Sequence, residues 1–136
     1  MDWKFEVVVV PVSDVDRSKH FYSEQVGFIV DVDQKFGETF RVVQMTPRGS
    51  GCSVTIGTGL SGSTPGSMEG LQLVVTDLEA ARAELVERGV EVTPIRHMDN
   101  GSWVDGPGGD WNWFIFFNDP DGNGWAMQQK PDTTGS

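Results

Sequence analysis

The strongest constraint on this chain is that it is written twice. Val12-Ser13-Asp14-Val15-Asp16 recurs as Val75-Thr76-Asp77-Leu78-Glu79, with every side-chain class kept. Further along, Gly27-Phe28-Ile29-Val30 corresponds to Gly89-Val90-Glu91-Val92, and Thr46-Pro47-Arg48-Gly49-Ser50-Gly51 to Asp119-Pro120-Asp121-Gly122-Asn123-Gly124. Three landmarks in the same order mean one supersecondary unit used twice, and neither copy can bury its apolar surface alone.

Each landmark has a local meaning. Ser13 with Asp16, and Thr76 with Glu79, read as capping boxes that open a helix. Gly27 and Gly89 stand just past the last apolar-periodic residue, where a left-handed backbone closes a helix. β-Branched runs at 5–10 and 71–75 precede the helices; a further strand and then a hairpin through the Pro/Gly turn follow each. The predicted order is strand, helix, strand, strand, strand, twice. The fold class is therefore α+β, two βαβββ modules forming a curved mixed sheet with a concave groove for a ligand. A chain of 136 residues suits one domain. Module one spans 3–58, the Gly/Ser-rich linker 59–69, module two 70–130, and a polar tail 131–136.

Alternation assigns the strand faces. Val54 and Ile56 oppose Ser53 and Thr55 in the fourth strand; Leu71, Leu73 and Val75 oppose Gly70, Gln72 and Val74 in the fifth; Trp125 and Met127 oppose Ala126 and Gln128 in the eighth. The apolar set is expected against the helices. The concave face then carries a few polar groups, Ser53, Thr55, Gln72 and Gln128, in the pattern of a binding site.

Composition excludes several partners. A net charge of −10 repels nucleic-acid phosphates and anionic headgroups, while leaving a cationic small molecule acceptable. No apolar run approaches the roughly 20 residues that a membrane span needs. The acidic start, Met1-Asp2-Trp3-Lys4-Phe5-Glu6, does not read as a signal peptide, so a cytoplasmic location is expected. The one cysteine, Cys52, cannot form an intrachain disulfide and reads as a small apolar side chain beside Val54.

The repeated helix opening, the Gly-apolar start of the second strand and the run Phe117-Asn118-Asp119-Pro120-Asp121-Gly122-Asn123 resemble the vicinal-oxygen-chelate superfamily of glyoxalases, bleomycin resistance proteins and extradiol dioxygenases, over residues 5–129. In metal-bearing relatives an ion on the concave face is held by His, Gln or Glu from the first, fourth, fifth and eighth strands. The matching positions here are Val7, Ser53, Gly70 and Ala126. One serine hydroxyl is far from the several oxygen or nitrogen donors a divalent ion needs, so no metal and no cofactor is expected. The resemblance then points to the relatives that sequester a drug without altering it. The expected function is metal-independent binding of an aromatic, apolar or cationic small molecule, by a homodimer. The alternative is a metal-independent isomerase, lyase or cyclase that uses the same groove.

Trp103, Trp111 and Trp113 lie in or just after the Gly-rich segment 100–110, expected between strands six and seven; they are candidates for stacking on a ligand, against core or dimer packing. Trp111 and Trp113 are expected on one face of one strand. The candidate general base is His97, just after the expected sixth strand.

Overall fold

The computed structural model describes residues 1–131, so most of the expected tail lies outside the described residues. By contact the described residues divide into two compact units, one of residues 1–68 with 119–123, the other of residues 69–118 with 124–131.

In the first unit β1 (Val7–Val9), α1 (Val15–His20), β2 (Ile29–Lys35), β3 (Arg41–Thr46) and β4 (Ser53–Thr58) make a four-stranded mixed sheet, ordered β1-β4-β3-β2 with β1 parallel to β4. Val10, Val43, Met45, Val54 and Ile56 are buried on the helix side with Phe21, Tyr22 and Phe28. After His20 the helix widens to a π-helical turn, Phe21–Gln25, closed by Val26 N–H donating to Phe21 O at 2.9 Å. Here two successive aromatics are buried: Phe21 meets Tyr22 edge-on at 5.2 Å, and Tyr22 stacks on Phe28 at 5.7 Å.

The second unit holds β5 (Leu71–Val75), α2 (Leu78–Glu87), β6 (Arg96–Asp99), β7 (Ser102–Asp105), β8 (Phe114–Asn118) and β9 (Gly124–Gln129), in the sheet order β5-β9-β8-β6-β7. Its core is Leu78, Leu85, Val90, Ile115, Phe117, Trp125 and Met127. The α+β class and the repeated strand-helix-strands order are as expected, and Gly27 and Gly89 do end the helices, at φ 94° and 83°. No helix among the described residues is long and apolar enough to cross a membrane.

Three local expectations are corrected. The helix caps are Asp14 and Asp77, one residue later than expected, accepting from Arg17 N–H and Ala80 N–H. Aspartate caps as well as serine does, and the Ser13 hydroxyl is engaged elsewhere, donating to Asp121 Oδ1 at 2.5 Å. No strand follows Gly89 directly: apart from Thr93 N–H donating to Phe116 O, the next strand begins at Arg96, beyond Pro94, which has no N–H to give a ladder. The segment expected as a loop between strands six and seven instead holds a hairpin, β6 against β7, turned by Asn100 and Gly101 at φ 50° and 82°. Asn-Gly is the pair most at ease with two left-handed residues.

Candidate functional site

In the second sheet, register puts Gln72, Ala126 and Phe116 in one cross-strand row and Val74, Gln128 and Phe114 in the next, on the face away from α2. Across these rows Gln72 Nε2 donates to Gln128 Oε1 at 2.6 Å, and Gln128 Nε2 donates to the Trp111 carbonyl at 2.6 Å. The two glutamines are therefore fixed in direction rather than free. Trp103, on β7, meets Phe114 at 5.1 Å and Phe116 at 4.9 Å, steeply inclined to both, and stays 44% exposed. Phe114 and Phe116 were not singled out in the sequence, because Phe114-Ile115-Phe116-Phe117 is apolar at every position and alternation has no contrast there.

The other two tryptophans are placed differently from expectation. Neither shares a strand face, because β8 begins only at Phe114. Trp111 sits in a turn at φ 63° and is half exposed, touching the site through its carbonyl. Trp113 is half-buried, its Nε1 donating to Gly108 O at 2.7 Å. The Asn112 carboxamide holds this turn to β6, accepting from Met98 N–H and donating to Met98 O. His97 lies within β6, on the face opposite Met98 and Trp103 by alternation, and its Nδ1 donates to Gly106 O at 2.8 Å. The structure thus brings Gln72, Gln128 and Trp103 together and leaves His97 apart from them.

In the first sheet, Val7 pairs with Ser53, and Val9, Thr55, Gln44 and Val32 form the adjacent row, on the face away from α1. Ser53 and Thr55 are each 7% exposed. The Ser53 hydroxyl lies 2.6 Å from Thr46 Oγ1 and 3.3 Å from Gln44 Nε2, and Thr46 in turn donates to Asp31. The thiol of Cys52, half-buried, lies 3.9 Å from the Ser53 carbonyl.

At the positions of the family's metal ligands stand Val7, Ser53, Gly70 and Ala126, and no group of three His, Cys, Asp or Glu side chains comes together among the described residues. This donor set does not fit a divalent ion: it offers one hydroxyl, already hydrogen-bonded, and no carboxylate or imidazole.

On the helix side of the first sheet, a polar cavity of about 520 Å³ is rimmed by Asp14, Asp16, Lys35, Glu38 and Arg41. Arg41 there bridges Asp16 at 2.8 Å and Asp33 at 2.9 Å, while Lys19 reaches Asp33 at 2.8 Å. The Arg41 guanidinium, then the Lys19 ammonium, hold the Asp33 carboxyl well below the usual carboxylate range. Spent on one another, these charges have little left for a ligand.

Each of the two units has one sheet face covered by its helix and another, away from the helix, that carries sparse polar groups. The model of the Glyoxalase/Bleomycin resistance protein/Dioxygenase superfamily matches residues 4–127, and the chain belongs to that family. Among solved structures it is similar to TnmS3, an antibiotic binding protein from Streptomyces sp. CB03234, with 35% identity, TM-score 0.76 and coverage of 95% of this chain and 97% of that one. A glyoxalase/bleomycin resistance protein from the same organism is 36% identical, with TM-score 0.73 and coverage of 93% and 100%. A superfamily member from Sphaerobacter thermophilus DSM 20745 is 26% identical, with TM-score 0.74 and coverage of 95% and 98%. The comparison with curated proteins returns no match.

Proposed function

We propose that this protein binds an aromatic or largely apolar small molecule of the antibiotic type and sequesters it unchanged, without a metal. The observation that carries the proposal is the juxtaposition on the second sheet: Trp103 over Phe114 and Phe116, beside the oriented pair Gln72 and Gln128. Aromatic surface supplies area, and two polar groups of fixed direction supply orientation, the usual division of labour in a small-molecule site. That a relative of 35% identity is an antibiotic binding protein supports the same proposal. Within the second unit the Trp111 carbonyl serves by holding Gln128, while Ser53 and Thr55 are separate polar candidates on the first unit's own sheet. A resistance role, a cytoplasmic location and a homodimer belong to the proposal; the exposed Trp3, Phe5, Val7 and Val9 support pairing with a second copy.

The test is a thermal-shift screen of aromatic, polycyclic and cationic drug-like compounds, since a ligand that prefers the folded chain raises its stability by mass action. For a compound that binds, Trp103→Ala is expected to weaken affinity about tenfold, from the loss of roughly 1–2 kcal/mol of ring contact. Trp113→Ala should weaken it less, its indole being held by Gly108. Unchanged affinity in the variant lacking all three of Trp103, Trp111 and Trp113 would refute the assignment of the site.

A further inference from the structure

The four side chains Asp31, Thr46, Ser53 and Gln44 form one hydrogen-bonded row, and its end group sets its direction. An ionised carboxylate has no proton to give, so Thr46 must donate to Asp31. A threonine hydroxyl has a single proton, so Thr46 can only accept from its other neighbour, Ser53. The Ser53 proton is thereby committed to Thr46. One lone pair of Ser53 Oγ takes the Gln44 Nε2 hydrogen, which is the only orientation of that carboxamide compatible with the row. The other lone pair has no partner among the described residues.

Thr55 stands two residues further along the same strand and face, about 6.6 Å away by the rise of a strand. It is 7% exposed, and its hydroxyl makes no hydrogen bond among the described residues. Ser18 Oγ is the only fully enclosed side-chain polar atom without a partner there, so the Thr55 hydroxyl keeps an opening.

We infer that Ser53 is a hydrogen-bond acceptor of fixed direction on the first sheet, and that a small molecule held against this face presents a hydroxyl or N–H donor at that point. The inference rests on the proposal that this chain binds small molecules and adds the donor chemistry preferred at the first sheet. Negative charge relayed from Asp31 through two hydroxyls strengthens Ser53 as an acceptor and penalises a carbonyl or ether oxygen placed against it. Thr55, free to rotate, donates or accepts as the neighbouring substituent requires.

The experiment uses 2-naphthol and its methyl ether, 2-methoxynaphthalene, titrated into the full ¹⁵N-labelled chain with amide shifts as the readout. The naphthol is expected to bind about tenfold more tightly, shifting Ser53 and Thr55, as one charge-assisted hydrogen bond allows. Ser53→Ala, Thr46→Val and Asp31→Asn should each bring the two affinities within about twofold. In Asp31→Asn the carboxamide can point its own N–H at Thr46 and release the direction of the row. That substitution is on an exposed side chain, so the test survives if a more buried variant fails to fold. Because the readout is a ratio between two probes on one variant, a general loosening does not imitate it. Equal binding of both probes at Ser53, or a preference that persists in all three variants, overturns the inference and leaves small-molecule binding standing. If neither probe shifts any amide, the binding proposal fails and the inference with it.

Discussion

Removing the Asp119 carboxylate should cost a large share of this protein's stability, and the Tyr22 hydroxyl should contribute distinctly less in its absence. Asp119 is 4% exposed and accepts four hydrogen bonds: Oδ1 from the backbone N–H groups of Asp121 and Asn123, each at 2.9 Å, and Oδ2 from Tyr22 OH at 2.7 Å and Asn123 Nδ2 at 2.8 Å. Asn123, fully buried, carries the network on, donating to Pro11 O at 2.8 Å and accepting from Met68 N–H at 3.0 Å. Asp119→Ala removes the acceptor of all four hydrogen bonds, from the Tyr22 hydroxyl, the Asn123 amide and the N–H groups of Asp121 and Asn123. At about 1 kcal/mol net for each, the expected loss is about 4 kcal/mol, against a typical total of about 5–15 kcal/mol. Tyr22→Phe alone removes one hydrogen bond to a charged acceptor that keeps three others, and should cost about 1.5 kcal/mol. In the Asp119→Ala background that hydrogen bond is already gone, so the same change should cost distinctly less. Urea unfolding followed by tryptophan fluorescence, with unchanged m-values as the check on two-state behaviour, measures all four corners of the cycle. A Tyr22→Phe cost that is equal in both backgrounds would refute this account of the turn.

Two further outcomes follow from single observations. Ser18 is fully buried in α1 and its Oγ has no partner among the described residues, so Ser18→Ala is expected to be neutral or to stabilise by about 1 kcal/mol; a stability loss above about 1 kcal/mol in urea unfolding would mean the hydroxyl has a function there. Asp33, its carboxyl pulled down by Arg41 and then Lys19, has a folded pKa below its unfolded value near 3.9, so its stabilisation is fully present above about pH 4 and is lost as pH falls further; Asp33→Asn should flatten the stability profile below about pH 4, and an unchanged slope there would count against the ion pairs.

The parts of the fold legible in the sequence were those set by local chemistry. The helix-ending glycines, the alternation of Leu71, Leu73 and Val75 against Gln72 and Val74, and the assignment of Gln72 and Gln128 to the face away from the helix depend on dihedral preference and strand period, which a few adjacent residues carry. The caps were legible to within one residue. Whether Ser13 or Asp14 takes the role depends on Asp121, which the chain brings to Ser13 only on folding.

The sequence by itself determined that this chain repeats a strand-helix-strands unit, that it belongs among the glyoxalase and bleomycin resistance folds, and that the positions of the family's metal ligands hold Val7, Ser53, Gly70 and Ala126. Only the tertiary structure decided which aromatics meet. Trp103 reaches Phe114 and Phe116 because an Asn-Gly turn folds β7 back along β6, and Trp111 leaves the strand because its backbone turns left-handed. Only the tertiary structure, too, joined Asp31 to Ser53 through Thr46, across three strand segments. The physical reason is the same in each case: the direction of a hydrogen bond and the meeting of two rings are set by register between strands, and register is a property of the assembled sheet.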